Sequence, residues 1–194
     1  MPRSPRRIAR VAATVARRLP DLTVVLENIH DPHNVSAILR SCDAVGAMQA
    51  ELLYTIEKFP RIGKKSSSSA SKWVERRKHT SVSECYRLLR NEGFVIYATR
   101  LDPAARLLYE CDFTGKVAFV LGNEHRGVSE EAASLADGLI VIPMRGMIES
   151  LNVSVAAAVC LYEALRQRHA RGMLDTPALA PAAIASLIEE WLRK

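Results

Sequence analysis

The chain contains no run of about 18 uncharged apolar residues, the length a helix needs to cross a bilayer, so no membrane span is expected. No apolar core follows its basic start, MPRSPRRIAR, and a secretory leader is not expected either; an Arg-rich, acid-poor transit segment is the weaker alternative. The four cysteines (Cys42, Cys85, Cys111 and Cys160) form no C-x-x-C pair, which points to free thiols in a reducing compartment and to a cytoplasmic protein. The five histidines show no metal-ligand spacing with them, so no metal is expected. No G-x-G-x-x-G follows the first strand-like run, no P-loop lysine motif occurs, and no Ser–His–Asp order stands out. Nucleotide hydrolysis and acyl transfer therefore lack support. No internal repeat is present.

What the chain does have is a full core and an uneven charge. At 194 residues, with 48% hydrophobic and 25% charged residues, it fits one globular domain with added terminal helices. The net charge of +6 is concentrated: residues 1–20 hold six arginines and no acid, and residues 58–80 hold eight Lys/Arg against the single Glu75. The remainder is net acidic. Two basic patches on an acidic body fit a polyanion partner, nucleic acid first; plain solvated faces are the bland alternative.

Periodicity orders the chain into alternating strands and helices. Residues 4–19 predict a helix with an apolar stripe (Ile8, Val11, Ala12, Val15, Leu19) and arginines Arg3, Arg6, Arg10 and Arg17 largely on another side. Strands are expected over 22–28, 49–56, 94–99, 116–123 and 139–142, with a short edge strand within 73–78 anchored by Trp73. Helices are expected within 30–46, over 81–91, over 129–137 with Ser129 as cap, and from 151 until Gly172 closes it. Gly46 reads as a left-handed cap on its helix. Pro181 opens a last helix whose apolar positions Ile184, Leu187, Ile188, Trp191 and Leu192 need a partner surface. The N-terminal helix is the economical one, in the same or a second chain. The serine run around 66–71 has no core-forming pattern and reads as a loop.

Such alternation predicts an α/β parallel sheet, with ligands gathered outside the strand C-termini. Three polar clusters follow predicted strands there: residues 30–40, 121–127 and 143–152. The last is the most distinctive, because Ser150, Asn152 and Ser154 stand at the start of a helix too apolar to sit on a surface. The unpartnered N–H groups of that helix offer donors and positive potential. Each polar residue also has a plain reading. Asn34, Ser150 and Asn152 could be helix caps, Glu124 could pair with Arg126, and Trp73 could anchor a dimer or a core or stack on RNA. His33 and His125 receive no role.

Three segments closely resemble motifs of the SpoU (TrmH) branch of the SPOUT RNA 2′-O-methyltransferases: HNVSAILRSCDAVG at 33–46, LGNEHRGVS at 121–129 and IPMRGMIESLNVSVAAAVCLYEALRQR at 142–168. Together they span nearly the whole body, and the basic N-terminal helix and the C-terminal helix favour the group acting on the tRNA D-loop guanosine at position eighteen. The resemblance implies a Rossmann-like parallel-sheet core with a C-terminal deep trefoil knot, one of the rare exceptions to unknotted connectivity. It implies a basic extension at 1–20, a catalytic domain at 21–172 and a helical extension at 173–194. It further implies S-adenosylmethionine as cofactor, tRNA as partner and a homodimer. Carried over by motif, Arg40 is the catalytic residue, supported by Asn34, with Glu124, Ser150 and Asn152 completing the polar cluster. Ala98, Thr99, Gly122, Ile142 and Leu151 match positions that contact the cofactor, largely through backbone groups. Arg6, Arg10, Arg17, Lys64, Lys65, Lys72, Arg166 and Arg168 are the cations expected on RNA. Arg40 could serve as a base or as a fork that holds a phosphate and polarises the hydroxyl. Ribosomal RNA, the anticodon loop, or a non-catalytic RNA-binding dimer are the rivals. Ser68 and Ser69 stand where relatives generally have glycine, and Arg145 and Glu149 where apolar or amide residues are common.

Overall fold

The computed structural model describes residues 4–60 and 70–194. Seven strands form one sheet of order β3-β2-β1-β6-β4-β7-β5: β1 Leu22–Glu27, β2 Gln49–Leu53, β3 Glu75–His79, β4 Val95–Thr99, β5 Arg106–Leu107, β6 Val117–Leu121 and β7 Gly138–Val141. Every pairing is parallel. The two central strands, β1 and β6, are buried at every position, as strands covered on both faces must be. The expected edge strand after Trp73 is β3. At the opposite edge, β5 lies outside the expected strands; two exposed residues, Arg106 and Leu107, are too short and too polar to show a strand period.

Helices α2 (Pro32–Val45) and α5 (Val153–Ala170) cover one face, packing Val35, Ile38, Leu39 and Cys42 with Ala157, Cys160 and Leu161 over Val24, Leu26 and Phe119. Helices α3 (Val82–Asn91) and α4 (Glu130–Leu135) cover the other, over Val25, Ile96, Ala98 and Val120. Gly46 ends α2 at φ +91°, and a Cβ there would lie 2.7 Å from the Arg17 carbonyl oxygen, so the expected left-handed cap is also a close approach. Burial pushes the Cys42 thiol up to about 12, with Asp43 adding to the shift, as befits a small core hydrophobe.

The terminal helices α1 (Pro5–Val15) and α6 (Pro181–Arg193) pack together within one chain, closing Val11, Val15 and Trp191 into a separate apolar cluster. Trp73 stacks on Trp191 with ring centroids 4.7 Å apart. α1 stops at Val15, so Leu19 belongs to the body, bridged to Ala47.

Two arginines are buried at the N-terminal end of the sheet. Arg18 is 1% exposed, pairs with Asp43 at 2.5 Å and lies 4.7 Å from the Trp191 ring. Arg168, expected on RNA, is likewise 1% exposed. It pairs with Asp21 at 2.7 Å and donates to the carbonyls of Asp21, Phe113 and Gly115. That expectation is corrected: its donors are held by the scaffold, and it ties the end of α5 to the start of β1. Among the described residues no helix is long and apolar enough to cross a membrane.

Candidate active site

A cavity of about 500 Å³ opens at the C-terminal ends of β4, β6 and β7, where ligands of parallel sheets gather. Its floor is Leu121 and Ile140; its walls are the Thr99–Leu101 turn, the 122–128 loop and the start of α5. Thr99, Gly122, Glu124, Ile142, Ser150, Leu151 and Asn152 all line it. Gly122 is the residue the walls demand, because a Cβ there would fall 2.1 Å from both Gly127 C and Val128 N. No side chain fits where the loop folds back on its strand.

Ala98 does not line the cavity. Side chains alternate along β4, so Thr99 turns towards the cavity while Ala98 joins the core beneath α3 and α4. Arg40 is exposed on α2 and does not line the cavity either. Among the described residues it has no hydrogen-bond or ion-pair partner. Lys64 and Lys65 lie outside the described residues. Arg6, Arg10, Arg17, Lys72 and Arg166 are exposed, and Arg166 is held by Glu163 at 2.8 Å.

At the cavity mouth, residues from three distant segments join by hydrogen bonds. Glu124 accepts from the backbone N–H groups of His30 (2.9 Å) and Asp31 (3.1 Å) and from the Asn34 amide (2.9 Å). Asn34 Nδ2 is thereby fixed towards Glu124, which leaves Asn34 Oδ1 to accept from Asn152 Nδ2 at 3.1 Å. Asn152 Oδ1 then accepts from Ser154 N (2.8 Å) and Ser154 Oγ (2.6 Å), so Asn152 is the N-cap of α5. One carboxylate sets the orientation of two amides and a helix start. Burial disfavours the Glu124 charge, yet the bonds from Asn34, His30 and Asp31 together outweigh it and hold the carboxyl below its ordinary value. The alternative pairing with Arg126 does not occur; Arg126 pairs with Glu57 at 2.9 Å. Ser150 is exposed on the rim and caps nothing.

Two asparagines outside the assigned motif roles build the loops. Asn28, at φ 51°, accepts the N–H groups of Thr55, Ile56 and Glu57 on its Oδ1. Asn123 donates to the Asn28 carbonyl at 2.8 Å and accepts from His125 N and Arg126 N. Glu27, 2% exposed, accepts from Ser129, the cap of α4. Strand-end asparagine was the available signal for the first pair. Nothing local marks Glu27, whose partner is 102 residues away.

The residues fit a zwitterionic sulfonium donor. The cavity volume is within the roughly 300–1,000 Å³ of small-ligand sites. The lining carries both charge signs, acids Glu124 and Glu149 with cations Arg100 and Arg126.

Comparison with known proteins agrees with this geometry. The model of the SpoU rRNA Methylase family matches residues 21–162. The chain is 49% identical over 192 residues to the tRNA (guanosine(18)-2′-O)-methyltransferase of Thermus thermophilus, covering 99% of this chain and 98% of that one. The crystal structure of the A. aeolicus TrmH/SpoU tRNA modifying enzyme superposes with a TM-score of 0.89 at 38% identity, over 96% of this chain and 94% of that one. The SpoU methyltransferase AviRb from Streptomyces viridochromogenes, solved with AdoMet, gives a TM-score of 0.68 at 27% identity over 79% and 62% of the two chains. With its family model matched over most of its length and its polar motifs gathered at one cavity, the chain belongs to the SpoU methylase family.

Proposed function

We propose that the chain is an S-adenosylmethionine-dependent tRNA ribose 2′-O-methyltransferase that modifies the guanosine at position eighteen of the D-loop. The observation that carries this reading is the junction of Asn34, Glu124 and Asn152 at the mouth of a two-signed cavity. The near full-length likeness to a guanosine-18 enzyme supports the substrate. The bound cofactor supplies an electrophilic methyl carbon on a sulfonium. The ribose 2′-oxygen must meet that carbon in line at about 3–3.5 Å, so alignment supplies much of the rate.

The residues of this chain divide that work. Gly122, Thr99, Ile142 and Leu151 shape the cofactor pocket. Glu124 is acceptor to three donors at once, so it positions rather than accepts the substrate proton. Through Asn34 and Asn152 it fixes where α2 and α5 begin. Arg40, unpaired among the described residues and outward, brings a planar five-donor fork that can hold an RNA phosphate and polarise the 2′-hydroxyl. Ser150 lies exposed on the cavity rim.

Arg40 stands outside the lining of its own cavity, which supports a homodimer in which two chains complete each site. Val155 and Tyr162, seven residues apart on one exposed side of α5, and the fully exposed Met147 supply apolar surface for it. The same reading includes the C-terminal trefoil knot, a basic extension at 1–20, a catalytic domain at 21–172, a helical extension at 173–194, and a cytoplasmic location.

The test is methyl transfer from labelled cofactor to a tRNA transcript, with the modified nucleotide mapped. Label at guanosine 18, lost in Arg40→Ala while tRNA binding persists, is the expected result. Label in ribosomal RNA or the anticodon loop would overturn the substrate, and binding without transfer would overturn the enzyme.

A further inference from the structure

The edge strand β3 carries the sequence ERRKH, three consecutive cations beside a strand, β2, that holds none. Alternation splits them. Arg77 turns to the α3 face, where it makes a bidentate pair with the fully buried Glu51 (Nη2 to Oε1 at 2.7 Å, Nε to Oε2 at 3.0 Å) and also bonds Glu92. His79 follows it inward, 2.6 Å from Glu51. Arg76 and Lys78 therefore point to the opposite face, in register with Ala50 and Leu52. Both are exposed. Lys78 lies 4.9 Å from the Phe59 ring, which packs on the core beneath α2. This is the face of the sheet that carries α2 and Arg40.

The strand also meets the terminal helices. Trp73, two residues before β3, stacks on Trp191 of α6, and Lys194 Nζ donates to the Lys72 carbonyl at 3.1 Å. A buried carboxylate beneath an edge strand is costly unless paired. Here its pairing with Arg77 and His79 fixes the register that leaves two cations outward on the substrate side. Neither Arg76 nor Lys78 has an acidic partner among the described residues, unlike Arg77, Arg90 or Arg166.

We infer that Arg76 and Lys78 form an RNA-phosphate contact on edge strand β3, joining the α1 arginines to the Arg40 face in one basic track. This rests on the tRNA reading above and deepens it: the track predicts that RNA is gripped along the sheet edge as well as at the terminal helices. Exposed cations on phosphates add sequence-independent affinity with a steep salt dependence.

The experiment compares the Arg76→Gln/Lys78→Gln double variant with wild type and with Arg87→Gln, an exposed cation on α3 across the sheet. The double variant should weaken tRNA binding on the order of tenfold and lower the salt slope of log Kd by about one per cation removed. Its KM for tRNA should rise with kcat at saturating tRNA and cofactor affinity within about twofold of wild type, and Arg87→Gln should change neither KM nor slope. Equal KM and salt slope in wild type and double variant would overturn the inference while leaving the methyltransferase reading intact. Wild type without methyl transfer or tRNA binding would instead remove the reading beneath it.

Discussion

At the N-terminal end of the sheet, Arg18 and Arg168 are 1% exposed and each is enclosed by one aspartate and several carbonyl oxygens. At the C-terminal end, Arg126 has the single partner Glu57, and Arg100 has Glu130 and Asp102. The residue type is the same and the circumstances are opposite. Where strands begin, the guanidinium gathers carbonyls left by the entering chain and becomes scaffold. Where strands end, it stands beside a cavity with partners it can exchange for a ligand's anion. A basic composition therefore overstates the RNA-facing charge, because two of its arginines never reach solvent.

The sharpest way to break this contrast is Arg168→Met. Asp21 and three carbonyls would lose their donors, and removing one member of a buried pair costs about 3–5 kcal/mol. Urea denaturation should show that loss, with cofactor affinity per folded molecule unchanged. A fully stable variant with impaired tRNA binding would return Arg168 to the RNA surface.

At the cavity end, Glu124→Gln is the corresponding test, with a smaller stability cost. The carboxamide turns one acceptor into a donor facing Asn34 or the His30 and Asp31 N–H groups, an unmade bond worth about 1–3 kcal/mol. Turnover should fall further than stability, since Asn34 and Asn152 lose their orientation together, and the Michaelis constant for cofactor should move less than kcat. The folded-state pKa of Glu124 is lowered from an ordinary 4.5, so its contribution is complete above that pH and is lost as pH falls through the depressed value. Wild type should lose stability in that acidic window more steeply than Glu124→Gln. Parallel acid profiles would remove the carboxylate from the network.

How much of this was legible follows the range of each signal. Local signals worked: Gly46 as a left-handed cap, Ser129 as a cap, Pro181 at a helix start and the 3.6-residue stripe of α6 all depend on neighbours within a turn. Motif resemblance placed Asn34, Glu124 and Asn152 in one cluster, although 90 and 118 residues separate the bonded pairs and periodicity alone could not join them. The burial of Arg168 was invisible, because it depends on an aspartate 147 positions away and on carbonyls of a loop. The Ala98 side chain joins the opposite core, one residue of strand register from the cavity, which leaves its expected cofactor contact to the backbone.

The α1 arginines extend the comparison to cations with no ion pair among the described residues. Replacing Arg6, Arg10 and Arg17 with glutamine should leave the unfolding midpoint unchanged while weakening tRNA binding by about tenfold. The salt slope should fall by roughly 0.7–0.9 for each phosphate that is no longer neutralised. Equal affinity at every ionic strength would take α1 off the RNA.

The smallest effect belongs to Arg126→Gln, and it tests the contrast most directly. Arg126 is half exposed, with 52% of its side chain accessible, and its partner Glu57 sits on a loop end held by Asn28 rather than by the ion pair. Surface pairs of this kind contribute about 0–1 kcal/mol, because two long side chains must be ordered in screening solvent. The variant should therefore unfold within about 0.5 kcal/mol of wild type in salt and out of it. Any deficit should emerge instead in cofactor or RNA affinity, since Arg126 lines the cavity. A stability loss comparable to that of Arg168→Met would mean that the cavity-end arginines are scaffold too, and partner number and burial would no longer separate a structural guanidinium from one held ready for a ligand.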